Sequence, residues 1–155
     1  GFEAIHGAWM GTIALSCGII SRVTSGAISD RIGGLNTLLL GSGLQLLALC
    51  LYLPFKSLTA LYLIAALFGL SQGGIVPSYT IIIRTFFKAA DAGWRIGMAL
   101  FFTLFGMALG GWLAGAIYDL TDSYDAAFIN AIAFNIANLI IAAELRRRAN
   151  RFVVA

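Results

Sequence analysis

Long stretches without a single charged residue dominate this sequence and leave few folds open to it. Leu35–Leu53 carries no charge over 19 positions, and Leu58–Ile83 carries none over 26. An apolar stretch of about 18 or more residues is long enough to cross a bilayer as an α-helix. Only 11% of all residues are charged, whereas soluble domains average about 25%. The sequence therefore predicts a membrane protein.

Five apolar segments can be drawn between the charged and turn-forming residues. Backbone amides in hydrocarbon must all be paired, and no segment alternates polar and apolar residues as barrel strands do. We therefore expect an all-α, polytopic membrane bundle of five transmembrane helices. Pro77 should bend the third, because it removes one hydrogen bond from the helix. The five segments cover residues 7–29, 35–53, 58–83, 96–118 and 127–143.

Basic residues are divided unequally between the two ends of these segments. Because cytoplasmic loops of membrane proteins carry an excess of Lys and Arg, the basic end is predicted to be cytoplasmic. This places the C-terminus inside and indicates a multi-pass protein of the plasma (bacterial inner) membrane. The opposite end holds Lys56 beside Asp119, Asp122 and Asp125. The basic end holds Arg31, Arg84, Lys88, Arg95, Arg146, Arg147, Arg148 and Arg151.

The turn after the first segment carries the most informative motif. Residues 26–34 read Gly-Ala-Ile-Ser-Asp-Arg-Ile-Gly-Gly. Gly26 would let a neighbouring helix come close, and Gly33 with Gly34 would permit a tight reversal. Asp30 could accept hydrogen bonds from helix amides or from an arginine. The motif resembles the Gly-x-Leu-Ala-Asp-Arg-x-Gly-Arg-Lys signature of the major facilitator superfamily, which implies a signature loop with a gating role that also includes Arg31.

The departures from that signature suggest which part of the fold is present. Gly34 and Leu35 stand where basic residues are usual, and in the superfamily the second copy of the motif is the more degenerate. The resemblance thus implies a partial major-facilitator fold, helices eight to twelve, without the N-terminal half of the same transporter. Residues 69–77 and 110–119 are similar to the monocarboxylate and oxalate–formate branches. The expected partners are the lipid bilayer, that missing half and a small substrate, and not nucleic acid.

Arg22 is the charge that falls inside an apolar segment. An unpaired charge at the middle of a membrane costs at least about 2.5–3.5 kcal/mol, so it should face a partner or water. It is either an anion-binding or gating arginine, or a structural arginine that reaches the interface or pairs with Asp30. The resemblance implies that helices seven, eight, ten and eleven line the cavity. The further polar candidates for substrate contact, each with a packing hydrogen bond as its alternative role, are Ser16, Gln72, Tyr79 and Thr103.

Other polar and small residues have simpler expected roles. Asn130, Asn135 and Asn138 are expected to form hydrogen bonds between helices. Cys17 and Cys50 lack metal-ligand or disulfide spacing and are expected to be small core hydrophobes. Glycines spaced four residues apart clear a helix face for close packing, which we expect for most of the five pairs. These pairs are Gly7/Gly11, Gly69/Gly73, Gly93/Gly97, Gly106/Gly110 and Gly111/Gly115.

The expected function is transport of a small solute by a secondary transporter, a symporter or antiporter that works by alternating access. The subfamily resemblance and Arg22 favour a small organic anion such as a carboxylate. All acidic residues fall at membrane edges or in loops, so a coupling carboxylate would lie elsewhere, or the mechanism is exchange or uniport. With a single histidine, His6, and no phosphate loop or metal motif, we expect neither an enzyme nor a cofactor, metal site or ATP-driven pump. The alternatives are a structural or channel-forming polytopic membrane protein, or an inactive truncated fragment.

Overall fold

The computed structural model describes residues 4–153, and the side chains of residues 5–149. The described residues form helices and no strands, and five spans are long and apolar enough to cross a membrane, α3 and α4 together making one. The predicted all-α bundle of five spans is confirmed. Glu3 and the side chain of Arg151 lie outside the described part. The helices are α1 (Ala4–Ile32), α2 (Gly34–Tyr52), α3 (Leu58–Gln72), α4 (Ile75–Phe86), α5 (Ala89–Thr121) and α6 (Asp125–Val153).

The helices extend beyond the apolar segments that predicted them. Residues 84–95 separate the third and fourth predicted segments, but the structure leaves only residues 87 and 88 between the helices, because α4 ends at Phe86 and α5 begins at Ala89. Hydropathy marks where a helix leaves the hydrocarbon, whereas the helix itself ends where its backbone changes conformation. Asp91 lies in the first turn of α5 and favours this early start, since a carboxylate stabilises a helix N-terminus.

Short local signals set several helix ends. Gly33 separates α1 from α2 with a φ of 82°, in the left-handed region where glycine has no steric cost. Ser57 precedes α3, and its hydroxyl accepts a hydrogen bond from the N–H of Ala60 at 3.4 Å. Asp122 ends α5 with a φ of 50°, a left-handed C-cap. These signals connect the spans by short turns, which makes consecutive spans antiparallel.

Helix α2 lies at the centre of the bundle. It packs against α1, α3, α4 and α6, whereas α5 contacts only α4 and α6 among the described helices. A small hydrophobic cluster of Leu38, Ile75 and Ala142 joins α2, α4 and α6. The main partner of α1 is α3, and α1 has no contact with α5. The interrupted third span therefore separates α1 from α5.

Two asparagines of α6 bind α2 through hydrogen bonds. The amide of Asn138 donates to the hydroxyl of the fully buried Ser42 at 3.1 Å. The amide of Asn135 donates to the side-chain oxygen of Gln45, also at 3.1 Å. The predicted role between helices is confirmed for these two residues, and such bonds are common where helices associate in lipid. Asn130 instead lines a cavity between α5 and α6.

The outward faces of the bundle are apolar. Val23 and Leu120 are 76% and 86% exposed, and no residue in the most apolar stretch of α5 is buried. Exposed apolar surface on this scale suits hydrocarbon and not water. Cys17 is half-buried, but Cys50 is exposed and not packed in a core as expected, because it lies on a side of α2 that no other described helix covers.

Candidate functional site

The regular hydrogen bonding of the third span is interrupted at Gly73 and Gly74, between the end of α3 and the start of α4, while both glycines keep right-handed helical φ and ψ. Pro77 lies four residues after Gly73 and has no N–H to donate to the Gly73 carbonyl. Its ring also crowds the carbonyl four residues before it. The disturbance predicted for Pro77 therefore falls at the glycines, while the proline itself lies in the first turn of α4.

Helix α1 lies against this interruption at very short range. A Cβ at Gly69 would overlap the backbone of Ala14, and one at Gly73 would lie 2.5 Å from the carbonyl oxygen of Gly18. Real Cβ atoms are not found at such separations, so glycine is required at both positions. Residues 18–25 of α1 are consequently held at the same level of the bundle as the interruption.

Ser21 and Ser25 connect α1 to the interrupted span. The hydroxyl of Ser21, which is 3% exposed, donates a hydrogen bond to the carbonyl of Leu70. The hydroxyls of Ser21 and Ser25 lie 3.4 Å apart, and a Cβ at Gly74 would clash with the Ser25 side chain. The sequence analysis did not single out these serines. The signal that marks them is a small-residue face that also contains Gly18, at spacings of three and four residues.

Arg22 projects from the same segment of α1. Its side chain is exposed, and it forms no ion pair with another residue in the described range. In particular, Arg22 does not pair with Asp30, so the predicted alternative of an Arg22–Asp30 ion pair is not found. Gln72, the last residue of α3, is half-buried and has no hydrogen-bond partner among the side chains of residues 5–149. Arg22 follows Ser21 on α1 and Gln72 precedes Gly73, so the two segments that meet at the interruption carry one guanidinium and one amide without a bonded partner among the described residues.

The other three polar candidates are not gathered at that point. Ser16 is exposed and lies about 120° around α1 from Arg22, since each residue turns the helix by about 100°. Thr103 lies on α5, which does not contact α1, and its hydroxyl donates to the Ala99 carbonyl at 2.8 Å. Tyr79 packs on the hydrophobic cluster that joins α2, α4 and α6. For Tyr79 this contact favours the packing role.

The signature turn meets some of its expectations and not others. Gly33 has the positive φ that a tight reversal requires. Gly34 is buried, and a Cβ there would lie 3.0 Å from an isoleucine side chain of α4, so its small size serves helix packing. Nothing lies within 4 Å of a Cβ at Gly26, so the close neighbour expected there is absent from the described chain. Asp30 and Arg31 are both exposed.

The chemistry around the interruption is that of hydrogen bonding. The Ser21 hydroxyl donates to the Leu70 carbonyl, so the donors left for an oxyanion are the Gln72 amide and the Arg22 guanidinium. No group of three or more His, Cys, Asp and Glu residues close enough to hold a metal ion is present in residues 4–153. Fold and site together define a polytopic helical membrane protein with polar groups at an interrupted span.

Comparison with known sequences places this protein in a family. The sequence model of the Major Facilitator Superfamily matches residues 2–152, and the chain belongs to that superfamily. The membership agrees with the resemblance of the signature turn and with a partial major-facilitator fold. No solved structure matches the chain significantly.

Several curated relatives are similar over most of the chain. Monocarboxylate transporter 13 of Rattus norvegicus is 26% identical over 139 residues, which are 88% of this chain and 32% of the relative. The gentisate transporter of Corynebacterium glutamicum is 29% identical over 83% of this chain and 29% of its own length. The MFS-type transporter opdF of Penicillium oxalicum is 29% identical over 74% of this chain and 29% of its own length. The chain spans about a third of the length of these relatives.

Proposed function

We propose that this chain is part of a secondary transporter that moves a small organic anion, of the carboxylate class, across the membrane. The observation that carries the proposal is Arg22, an exposed cation without an ion-pair partner in the described chain, eight residues before the charged end of α1 at Asp30. Facing lipid, such a charge would cost about 2.5–3.5 kcal/mol or more, so a water-filled path with an anion beside the guanidinium is the favourable environment.

The interrupted span supports the same site. Transporters bind substrates where a membrane helix is discontinuous, because the interruption leaves polar backbone groups available near the middle of the bilayer. Here Gly73 and Gly74 lie against the segment of α1 that carries Arg22, and Gln72 precedes them. Two of the relatives are named as transporters of monocarboxylates and of gentisate, which favours a carboxylate as the substrate. Arginine binds a carboxylate through two parallel hydrogen bonds.

The chain is assigned to the C-terminal half of the transporter. Because consecutive spans are antiparallel, the α1–α2 turn, the start of α5 and the end of α6 lie at one end of the bundle, and these are the basic segments. The positive-inside rule then makes this end, with the C-terminus, cytoplasmic in the plasma membrane. An N-terminal half would supply the second bundle that alternating access requires, in which two bundles rock about a central site.

Uptake of a labelled monocarboxylate into proteoliposomes tests the proposal. The protein used is the reading frame extended upstream to the full transporter, reconstituted as wild type and as Arg22→Gln. We expect Arg22→Gln to lower the uptake rate by about tenfold or more, because a charge-assisted hydrogen bond to the anion is lost. The 155-residue chain reconstituted alone should give no uptake.

The matched control is Arg147→Gln, which removes the same charge from an exposed residue near the end of α6 that pairs with Glu144. It should transport as wild type does. A wild-type protein that accumulates no carboxylate would overturn the substrate class. Equal uptake by Arg22→Gln and wild type at equal amounts of inserted protein would remove Arg22 from the path, and its structural role at the interface would stand instead.

A further inference from the structure

A polar cavity lies at the basic end of the bundle, away from the interruption at Gly73 and Gly74. It has a volume of about 460 Å³ and lies where the ends of α1, α2, α4 and α6 meet. One wall is polar and comes from the α1–α2 turn, while the wall from α4 is apolar and includes Ile82 and Phe86. A cavity with one polar and one apolar wall at the ends of membrane helices opens where lipid headgroups lie.

The N-terminus of α2 provides hydrogen-bond donors to this cavity. The first N–H groups of a helix have no partner within the helix, and here they belong to the three residues after Gly33. Gly33 has no side chain that could accept a hydrogen bond from them. Those residues, Gly34, Leu35 and Asn36, all line the cavity. The helix dipole adds a partial positive charge at the same end. Such a terminus attracts an anion, but a ligand needs further partners to be specific.

Ser29 supplies the independent sign of a ligand. It lines the cavity, is 4% exposed, and its hydroxyl has no hydrogen-bond partner. The other buried serines all have a hydrogen-bond partner, on their own helix or on a neighbouring one; Ser78, for example, donates to the Gly74 carbonyl at 2.7 Å. Leaving a buried hydroxyl unpaired is costly, so the unpaired group at Ser29 indicates an oxygen atom that would occupy the cavity.

Two charged side chains complete the lining. Arg146 has no ion-pair partner among the described residues, whereas the next two arginines of α6, Arg147 and Arg148, share Glu144. The Asp30 carboxylate also lines the cavity and opposes an anion, as does the unpaired side-chain oxygen of Asn36. The backbone amides of the helix terminus, the Ser29 hydroxyl and the Arg146 guanidinium outnumber these two acceptors, and they surround the cavity from three helices. Several donors arranged in this way suit a tetrahedral oxyanion better than a planar carboxylate.

We propose that this cavity binds a phosphate group, carried either by a lipid headgroup or by free phosphate. The phosphate oxygens accept hydrogen bonds from the α2 amides and the Ser29 hydroxyl, and Arg146 neutralises the charge. The apolar wall of α4 accommodates the glycerol and first acyl carbons if the group belongs to a lipid. The site does not depend on transport of a carboxylate, so it can stand or fail independently of the proposed function.

Equilibrium binding to the purified full-length protein in a phosphate-free maltoside detergent tests this. The probes are inorganic phosphate and dihexanoylphosphatidic acid, titrated at constant ionic strength. Arg146→Gln should weaken binding by about tenfold or more, and Ser29→Ala by about threefold to tenfold. Asp30→Asn should tighten binding by about twofold to fivefold, because a like charge is removed.

Arg147→Gln is the matched control, since it removes one charge from the same helix but does not line the cavity. It should bind as wild type does. Binding of the lipid alone identifies a headgroup as the source, and equal binding of both probes identifies free phosphate. Binding of neither probe overturns the proposal, as does equal weakening by Arg146→Gln and Arg147→Gln. Weaker phosphate binding by Asp30→Asn would also overturn it, because removing a negative charge should raise the affinity for an anion.

Discussion

The contact between α1 and α3 and the surface of α5 have the same glycine spacing but differ in what lies against it. A Cβ at Gly69 or Gly73 would collide with the backbone of α1, whereas nothing lies within 4 Å of a Cβ at Gly106 or Gly110. The same open space surrounds the glycines of the other three pairs. Four-residue spacing therefore indicates a flat helix face, but it does not indicate whether a partner occupies that face.

The two regions also differ in how their polar groups are satisfied. Ser21 of α1 bonds across to the Leu70 carbonyl, whereas Thr103 of α5 bonds to its own helix. The stretch of α5 that is most apolar has no buried residue. Under the proposed function, the open surface of α5 is available to the rest of the transporter.

The largest expected effect is that of Gly69→Ala. The new methyl group would overlap the Ala14 backbone, which cannot move aside as a flexible side chain can. We expect a loss of about 1–3 kcal/mol or more in the free energy of unfolding, measured by titration from mild detergent into sodium dodecyl sulfate. Gly110→Ala, on the open surface, should cause no loss. Equal losses of stability in the two variants would show that the glycines packed against α1 and the glycines of α5 do not differ in what lies against them.

An intermediate effect is expected at the asparagines of α6. Asn138→Ala removes a hydrogen bond to the buried Ser42 of α2 and should cost about 0.6–2 kcal/mol in the same titration. Asn130→Ala is the matched control, because it removes the same group from the same helix where it faces the cavity beside α5. A larger loss for Asn130→Ala would show that its side chain has a partner in the membrane.

The smallest effect is expected for the ion pair at the end opposite the basic residues. Lys56, between α2 and α3, bonds to Asp125 at the start of α6, and both side chains are at least half exposed. A double-mutant cycle with Lys56→Met and Asp125→Asn should give a coupling below about 1 kcal/mol that falls as salt is added. A double-mutant cycle with Asp119→Asn in place of Asp125→Asn should give no coupling energy. A coupling that does not respond to salt would show that the pair is shielded from water.

Much of the architecture could be predicted from local sequence features, but less of the candidate site could be predicted in this way. The α1–α2 turn at Gly33 follows from its motif, because glycine tolerates a positive φ wherever it occurs. Asn135 and Asn138 share a face of α6 and Asn130 lies about 140° from Asn135, but this spacing does not indicate that the shared face meets α2. Among the site candidates, only Arg22 and Gln72 are at the interruption. Ser21 was not predicted because the small-residue face that it shares with Gly18 indicates close packing but not which helix packs there.

The sequence by itself determined that this is an all-α membrane protein with five spans. Hydrophobic length is a property of each segment alone, and in hydrocarbon a segment must pair its own backbone amides. Only the tertiary structure decided which glycine face is occupied, that Tyr79 packs on the hydrophobic cluster, and that Arg22 does not pair with Asp30. These outcomes depend on which helix faces meet, and spacing along one helix shows only which residues share a face.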